Sequence, residues 1–356
     1  MTLGTLPSPA PNEADLTRAV QALLAGQLLA FPTETVYGLG ADAEQPEAVA
    51  RIYAAKERPA DHPVIVHVAP GADLRYWVTD LPAVAQVLID AFWPGPLTLI
   101  LRRADRIPDA VSGGQTSIGL RCPSHPVAQA LLTAFAAAKP SGQGGVAAPS
   151  ANRFGHVSPT RAAHVQAEFP ELVAAGMPLL DGGDAEVGIE STILDLSGLS
   201  QGRPPTLLRP GRITARQLAQ VLGQAPAAPD ASAPRASGTL KAHYAPRTPL
   251  ELADPMRLGA LITGEGVDAG VRWVILSYVT APAGLDPRLH WRTLPADPDA
   301  YAHDLYAALR NLDEAGYGRI VVQRPPADAS WQAVNDRIGR AGAAFDLSSD
   351  PTLSHV

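Results

Sequence analysis

Residues 31–42 bring together hydroxyl groups, a carboxylate and two glycines directly after a short apolar run at 28–31. Pro32 ends the strand that the apolar run predicts, because proline cannot donate a hydrogen bond to a neighbouring strand. Glycines at 38 and 40 let the backbone approach a ligand closely, and the polar side chains before them could bind it. The alternative is an ordinary strand-to-helix loop whose polar side chains are satisfied locally. The segment is a candidate site for a small molecule.

Two cationic side chains, Lys56 and Arg58, lie one residue apart at the end of a predicted helix. In a loop both can face a triphosphate, the lysine as a point charge and the arginine as a two-pronged donor. A solvated surface pair is the alternative. The chain has no Walker A sequence, no dinucleotide-binding glycine turn, no G-x-S-x-G turn and no H-E-x-x-H pair. A bound ATP would therefore be held by side chains and irregular loops.

Arg121 ends a strand-like run and precedes a Cys-Pro pair. A guanidinium in this place could hold a carboxylate by two parallel hydrogen bonds, although an ordinary surface arginine fits the same pattern. Several hydroxyl and amide groups could bind phosphate or ribose oxygens without adding charge, or could serve as turn and cap residues. They are Ser117, Ser150, Asn152 and Ser158.

The elements that would position these residues alternate along the chain without a strict βα repeat, so we expect a mixed sheet with helices packed on it. The predicted strands are 28–31, 64–68, 97–101, 117–121, 146–148 and 191–196, and the predicted helices are 15–24, 46–56, 81–92, 126–138 and 160–169. A stretch rich in Pro and Ala at 223–237 predicts a semi-extended linker. After it, strands at 273–277 and 319–323 and helices at 297–315 and 329–344 fit a small parallel α/β domain.

The composition limits the classes of protein to consider. The chain has 356 residues, of which 46% are hydrophobic, and a formal net charge of −7. The length suggests two domains, and no apolar run approaches the ~20 residues that cross a bilayer. The single cysteine, Cys122, rules out an internal disulfide and a multi-cysteine zinc site, so we expect a cytoplasmic protein without membrane contact. The charge argues against a broad nucleic-acid-binding face but leaves room for a transient encounter with tRNA.

Several motifs follow one another in a fixed order. They are Phe-Pro-Thr-Glu-Thr-Val-Tyr-Gly-Leu-Gly-Ala-Asp at 31–42, Lys-Glu-Arg-Pro at 56–59, Ala-Pro-Ser-Ala-Asn at 148–152, Gly-Ile-Glu-Ser-Thr-Ile at 188–193, and Leu-Arg-Pro-Gly at 208–211. In this order and spacing the chain resembles the YrdC-like family, in the two-domain form known as threonylcarbamoyl-AMP synthase. The resemblance is dense over residues 14–212 and resumes with Lys-Ala-His-Tyr-Ala-Pro at 241–246.

The resemblance implies a YrdC-like mixed, twisted α/β sheet that a linker joins to a small Rossmann-like parallel α/β domain. On this basis we predict a catalytic domain over 14–212, a helix and linker over 213–246, and a C-terminal domain over 247–347. Residues 1–13 and 348–356 are predicted to be loose tails. The linker would act as a lid and exclude water from a mixed anhydride that hydrolyses readily.

The resemblance also implies a nucleotidyltransferase that joins L-threonine, bicarbonate or CO2, and ATP, and releases pyrophosphate. Mg²⁺ is expected to accompany the ATP, and no residue is assigned as a metal ligand. The product would pass to a tRNA threonylcarbamoyl transferase for N6-threonylcarbamoyladenosine formation. Two alternatives remain open: an RNA-binding or ribosome-associated module that uses the same surface without turnover, and a carbamoyl-adenylate-processing domain.

The residues that match the family motifs take their implied roles from it. Lys56 and Arg58 would be catalytic. The threonine site would consist of Thr35, His67, Arg121, Ala148 and Ser191. The ATP site would consist of Lys56, Arg58, His62, Ser117, Ser150, Asn152, Ser158, Arg209, His243 and Tyr244. Glu190 would orient threonine or a metal, or serve the structure alone.

Three places depart from the family pattern, and one of them is the segment Ser-Gly-Thr-Leu-Lys at 237–241, which lacks the usual proline of the lid. Glu57 stands between the two cations where the family usually has glycine, which affects the shape or charge of that loop. Cys122 follows Arg121 where the family often has an apolar residue, and we interpret it as a small buried hydrophobic residue.

Overall fold

In a computed structural model, which describes residues 12–346, the chain divides into two compact units. The first unit comprises the described part of Met1–Arg153 together with Pro159–Ser237, and the second comprises Phe154–Ser158 with the described part of Gly238–Val356. The predicted C-terminal tail, and all but the last two residues of the predicted N-terminal tail, lie outside the described residues. Within residues 12–346 no helix combines the length and the apolar surface needed to cross a bilayer.

The first unit has eight strands and seven helices among the described residues. The strands are β1 Leu29–Phe31, β2 Gly38–Asp42, β3 Ile65–Val68, β4 Leu97–Arg102, β5 Ser117–Arg121, β6 Gly145–Ala147, β7 Thr192–Asp195 and β8 Thr206–Arg209. The helices are α1 Glu13–Leu24, α2 Pro46–Lys56, α3 Ala83–Phe92, α4 Pro126–Ala138, α5 Ala162–Glu168, α6 Pro170–Ala174 and α7 Ala215–Leu222.

These strands form one mixed sheet in the order β1-β2-β6-β3-β5-β4-β7-β8. The pairs β3–β5 and β4–β7 are parallel, and the other neighbours are antiparallel. The mixed sheet predicted from the sequence is confirmed.

The two faces of this sheet are covered differently. Val66, Ile118 and Leu120 point into the main hydrophobic core, which the sheet shares with helical residues. Because side chains alternate along a strand, their neighbours His67, Ser117 and Arg121 lie on the opposite face. Ile65 and Ile100 form a small separate cluster on that opposite face, and Ala233 and Ala236 of the linker pack against it.

The second unit contains a four-stranded sheet in the order β11-β10-β12-β9, in which every neighbouring pair is parallel. This arrangement confirms the predicted parallel α/β fold. Its elements are β9 Leu250–Ala253, α8 Pro255–Ile262, β10 Trp273–Ser277, β11 Leu289–Thr293, α9 Pro298–Glu314, β12 Arg319–Gln323 and α10 Gln332–Asp346.

The segment Phe154–Ser158 belongs to the second unit although the chain on both sides of it belongs to the first. The N–H of Ala245 donates to the carbonyl of Gly155 over 2.8 Å. Arg310 of α9 donates to the carbonyls of Val157 and Ser158. The second unit is thus built from two separate stretches of chain.

Strand β2 was not predicted, and it changes the interpretation of its glycines. A side chain at Gly40 would come within 2.8 Å of Val146 Cγ1, and one at Gly38 would come within 3.2 Å of Phe31 and Ala148. The two glycines therefore make room for the side chains of neighbouring strands. The expectation that they let the backbone approach a ligand stays a prediction.

Candidate active site

The Arg121 guanidinium lies at the end of β5 and is almost fully buried. Its Nη2 is 2.6 Å from Oε1 of Glu34, whose side chain is buried to the same extent. Its Nη1 donates to Thr35 Oγ1 over 2.9 Å, and its Nε donates to the carbonyl of Gly95 over 3.3 Å. Arg121 and Thr35, both predicted for the threonine site, are therefore in direct contact.

His67 lies beside Arg121, because β3 and β5 are parallel and pair these two residues. Burial, and after it the positive charge of Arg121, lower the pKa of His67 to about 3. The imidazole is thus neutral at physiological pH. Its Nδ1 is buried and makes no hydrogen bond to any described residue, while its ring meets Phe31 edge-on. A neutral imidazole in this place can donate or accept one hydrogen bond to a ligand.

The pKa of His67 predicts a pH dependence of stability that a variant can remove. Between about pH 3 and its ordinary 6.5, the unfolded chain binds a proton that the folded protein does not. The free energy of unfolding therefore decreases as the pH is lowered through this window, by about 2 kcal/mol from pH 7 to pH 5. In His67→Leu this part of the loss is absent, which denaturant titrations at the two pH values will measure. An equal decrease in the free energy of unfolding of the original protein and of His67→Leu would contradict a neutral His67 in the folded state.

Ser191 lies directly before β7 within a second group of polar contacts. Its hydroxyl is 2.8 Å from Thr98 Oγ1 and accepts a hydrogen bond from Arg209 Nη2 over 3.1 Å. Arg209 Nε also donates to the carbonyl of Ser191 over 3.0 Å. The loop of Gly95 joins the two groups, because Arg121 contacts the Gly95 carbonyl and the N–H of Thr192 donates to the next carbonyl, that of Pro96.

Lys56, at the end of α2, is buried and holds the segment of Ser150 and Asn152. Its ammonium donates to the carbonyl of Ser150 over 2.6 Å and to that of Asn152. Burial, and next the charge of Arg58, lower the pKa of Lys56 well below its ordinary value. The carboxylates of Glu168 and Glu190 act in the opposite direction. Lys56 is therefore an interior cation that binds carbonyl oxygens, and the alternative of a solvated surface pair is wrong.

Arg58 and His62 occupy the loop that follows α2. Arg58 is mostly buried and donates to the carbonyl of Pro63 over 2.8 Å. Partial burial, and next the charge of Arg58, lower the pKa of His62. Glu57 has a φ of 55°, a left-handed conformation that favours glycine. Its exposed carboxylate pairs with Arg153 at 2.6 Å.

The remaining predicted residues of the first unit lie near these groups. The N–H of Ala148 donates to the carbonyl of Ile65, next to His67 in β3. Ser150 forms an isolated bridge with Gly38, and the Asn152 amide donates to the carbonyl of Arg153. Ser117 begins β5, four residues before Arg121 on the same face.

Ser158, His243 and Tyr244 lie in the second unit. The N–H of His243 donates to the carbonyl of Arg340, and the Tyr244 hydroxyl donates to the carbonyl of Gly238. The Tyr244 ring is fully buried, and the guanidinium of Arg337 lies 5.3 Å from its centre. Their assignment to the ATP site stays a prediction.

The end of the linker is held by contacts of Gln115 and of the linker residue Arg235, two side chains that the sequence analysis did not single out. Gln115 accepts from the N–H of Arg235 over 2.8 Å and donates to its carbonyl over 3.1 Å. The Arg235 side chain donates to the carbonyl of Gly113 and lies 3.7 Å from Asp61. Arg209 donates to the carbonyl of Ser237 over 2.8 Å. A cation predicted for the ATP site therefore also holds the linker.

Removing the Gln115 side chain is expected to loosen the linker. Loss of the two hydrogen bonds, at roughly 0.5–1 kcal/mol each, raises about tenfold the population of molecules in which the linker around Arg235 is detached. Trypsin should then cleave after Arg235 about ten times faster in Gln115→Ala than in the original protein, measured by mass spectrometry of timed digests. Gln129→Ala, which removes a side-chain bond to the carbonyl of Pro123, is the matched control. Unchanged cleavage in Gln115→Ala would show that other contacts hold the linker.

Several contact residues of this site were absent from the predicted set. Glu34 was noticed only as part of its motif, and Thr98 and Gln115 carried no signal in the single sequence. The signal for Glu34 was its position between two threonines at a strand end. A carboxylate buried in such a place requires a cationic partner, and Arg121 is that partner.

The chain matches two protein-family models. The Sua5/YciO/YrdC model, described as “Telomere recombination”, matches residues 21–211. A second model, described as “Threonylcarbamoyl-AMP synthase, C-terminal domain”, matches residues 213–343. Together they span both units.

Curated relatives and a solved structure agree with these matches. The chain is 34% identical over 330 residues to the threonylcarbamoyl-AMP synthase of Pyrococcus abyssi, covering 89% of this chain and 90% of the relative. It is 35% identical over 339 residues to that of Bacillus subtilis, covering 93% of each. A putative threonylcarbamoyl-AMP synthase of Mycobacterium tuberculosis is 38% identical over 215 residues, which are 60% of this chain and 92% of that protein. The structure of P. abyssi Sua5 with L-threonine matches with a TM-score of 0.81 at 31% identity, covering 94% of this chain and 95% of the other.

Proposed function

Because the chain belongs to the two-domain threonylcarbamoyl-AMP synthases of the Sua5/YciO/YrdC family, we propose that it makes threonylcarbamoyl-AMP and pyrophosphate from L-threonine, bicarbonate or CO2, and ATP. The amino nitrogen of threonine bonds to the carbon of CO2 and loses a proton, which gives a carbamate. A carbamate oxygen then attacks the α-phosphorus of ATP. The bond from that phosphorus to the β-phosphate oxygen breaks, and pyrophosphate leaves.

The observation that carries this proposal is that the first unit holds one buried cation beside polar side chains and a second set of three buried cations. Arg121, with Thr35 and His67 beside it, suits the carboxylate and the neighbouring polar groups of an amino acid. Lys56, Arg58 and Arg209 suit the phosphates of ATP, and all three are buried. Catalysis would then rest on holding the carbamate in line with the α-phosphorus and on neutralising the charge of the leaving pyrophosphate.

The M. tuberculosis relative supports placing the chemistry in the first unit. Its match covers 215 residues, almost its whole length, and it carries the same enzyme name with the word putative. The P. abyssi structure contains L-threonine, according to its description. We therefore assign threonine to the group around Arg121, and ATP to the group of Lys56, Arg58, His62, Ser117, Ser150, Asn152 and Arg209.

Mg²⁺ would enter with the nucleotide. Within residues 12–346 no group of three or more His, Cys, Asp or Glu side chains is arranged to hold a metal ion. A magnesium ion is commonly held by substrate phosphates and water with few protein ligands. No step proposed here is routed through a protein-held ion.

Pyrophosphate release tests the proposed function directly. The protein is incubated with ATP, Mg²⁺ and bicarbonate, together with L-threonine, L-serine or no amino acid. Release that requires threonine supports the synthase. Release without any amino acid, when carbamoyl phosphate replaces bicarbonate, favours a carbamoyl-adenylate-processing domain. Tight RNA binding without release favours an RNA-binding module. The product, a mixed anhydride and so an activated acyl donor, would pass to a transferase that modifies adenosine in tRNA, as the family membership implies.

A further inference from the structure

Glu34 and Arg121 form a buried ion pair whose remaining contacts fill most of their hydrogen-bonding capacity. Oε1 of Glu34 faces Arg121 Nη2, and its Oε2 accepts the N–H of Ser124 over 3.2 Å. Arg121 uses its Nε on Gly95 and its Nη1 on Thr35. Beyond the contact with Glu34, Nη2 makes no hydrogen bond to another described residue. An N–H of Nη2 is thus buried without a hydrogen-bond acceptor other than Glu34, and it could bind a carboxylate that enters beside the pair.

The direction of the hydrogen bonds beside this pair is fixed by the two outer groups, a carbonyl that can only accept and a guanidinium that can only donate. Thr33 Oγ1 is 2.6 Å from the carbonyl of Val36, which can only accept, so the Thr33 hydroxyl donates there. Thr33 and Thr35 share a hydrogen bond of 2.8 Å, in which Thr35 must therefore be the donor. Arg121, which can only donate, supplies the hydrogen bond that Thr35 accepts. The hydroxyl hydrogen of Thr35 is already used, and toward a ligand Thr35 can only accept.

Arg121 and Thr35 consequently offer a ligand one donor and one acceptor side by side. An α-amino acid carries the matching pair on one carbon, a carboxylate that accepts and an amino group that donates. A hydroxyl that can only accept discriminates against a ligand without the amino group. This pairing needs the guanidinium in a fixed orientation, and Glu34 is the charged group that holds it.

We propose that Glu34 is a positioning residue of the amino-acid site, and that through Arg121 it sets Thr35 to accept an N–H of the substrate amino group. This inference rests on the proposed function for the identity of the amino acid. It predicts that even the isosteric change Glu34→Gln is harmful. Both oxygens of Glu34 face donors, and glutamine has a single amide oxygen, so in either orientation its NH2 group meets a donor.

Binding of two ligands to four variants tests the proposal. The ligands are L-threonine and (R)-3-hydroxybutanoate, which has the same carboxylate and hydroxyl but no amino group, each titrated calorimetrically in the presence of a non-hydrolysable ATP analogue. We expect Glu34→Gln to weaken threonine binding about tenfold and to leave binding of the ATP analogue within twofold. Glu186→Gln, the same change at an exposed carboxylate, should alter neither.

Two variants of Thr35 test its role as a hydrogen-bond acceptor independently of Glu34. Thr35→Val should weaken threonine about tenfold and leave 3-hydroxybutanoate within twofold, whereas Thr35→Ser should bind both nearly as the original protein does. In steady state, Glu34→Gln should raise the KM for threonine about tenfold with a smaller change in kcat. Should Glu34→Gln fail to fold, the Thr35 variants still decide the acceptor role without which the proposal falls.

The outcomes separate this proposal from the proposed function. Equal weakening of both ligands in Thr35→Val, or no weakening of threonine in either Glu34→Gln or Thr35→Val, overturns the proposal while threonine-dependent pyrophosphate release stands. Threonine binding with the expected variant pattern, but without release, overturns the proposed function and leaves the amino-acid site in place. No threonine binding by the original protein overturns both.

Discussion

Replacing Arg121 by methionine should raise the threonine concentration required for half-maximal pyrophosphate release by about 100-fold. The reason is that the positive charge of the guanidinium and its one charge-assisted hydrogen bond to the substrate carboxylate together contribute roughly 2–3 kcal/mol, and each 1.4 kcal/mol is tenfold in affinity. Binding of the ATP analogue should change by less than threefold, because Lys56, Arg58 and Arg209 remain. Rate measurements over a range of threonine concentrations, together with calorimetry of the analogue, provide the test.

Loss of Arg121 also removes the partner of Glu34, and this second effect must be separated from the first. Leaving a buried carboxylate unpaired costs roughly 3–5 kcal/mol in the free energy of unfolding. The double variant Glu34→Gln with Arg121→Met removes both charges, so it should regain much of the stability without regaining threonine affinity. An Arg121→Met protein that binds threonine normally would refute its assignment to the carboxylate. A double variant with restored affinity would refute it equally.

Replacing Lys56 by methionine should lower kcat by about 100- to 1,000-fold, the loss typical for removal of one preorganised charge-stabilising group. Lys56 is held between two carbonyls in an interior that disfavours its charge, so a nearby phosphate would stabilise the ammonium strongly. Methionine keeps a similar volume but supplies neither the charge nor the two hydrogen bonds that hold residues 150–152. Single-turnover measurements with saturating threonine and ATP would isolate the chemical step.

The lowered pKa of Lys56 adds a thermodynamic signature. The phosphates of ATP should raise this pKa back toward its ordinary value, so the nucleotide complex binds a proton that the free protein lacks at alkaline pH. Calorimetry at about pH 9 in buffers of different ionisation enthalpy should show proton uptake in the original protein and none in Lys56→Met. Lys139→Met is the matched control, because Lys139 pairs with Asp42 and Glu44. Unchanged proton uptake in Lys56→Met would contradict the role of Lys56.

The elements that the sequence predicted well are those whose ends carry local signals. Helix α2 begins at Pro46, whose fixed φ suits the first helical turn, and the prediction of 46–56 is confirmed. Strands β5, β10 and β12 were predicted with the correct bounds, because each is a short run rich in apolar residues with turn residues beside it. Such signals lie within a few residues of the boundary that they predict.

Strand β2 was missed because the reason for its composition lies elsewhere in the chain. Glycines have low strand propensity, so the run from Gly38 reads as a loop. Its stability comes from pairing with β1 on one side and β6 on the other. The small residue at 40 is required by the side chain of Val146, more than 100 positions away. A single sequence cannot show which distant side chain will fill that space.

The same limit applies to the site. Residue types and motif order predicted Lys56, Arg121 and Thr35, yet their partners could not be identified. The carbonyls that Lys56 binds are 94 and 96 positions away. The hydroxyl that Arg121 binds is 86 positions away. Partners of this kind depend on the sheet order, which places β3 and β5 side by side.

The short excursion of the chain through Phe154–Ser158 has a practical consequence for dividing this protein. Any fragment that begins after residue 237 lacks a peptide whose carbonyls accept hydrogen bonds from Ala245 and Arg310. A fragment that stops before residue 238 keeps that peptide but deprives it of both donors. A gene cut once at the linker therefore yields two incomplete products. Separate expression of the halves requires grafting residues 154–158 onto the downstream piece.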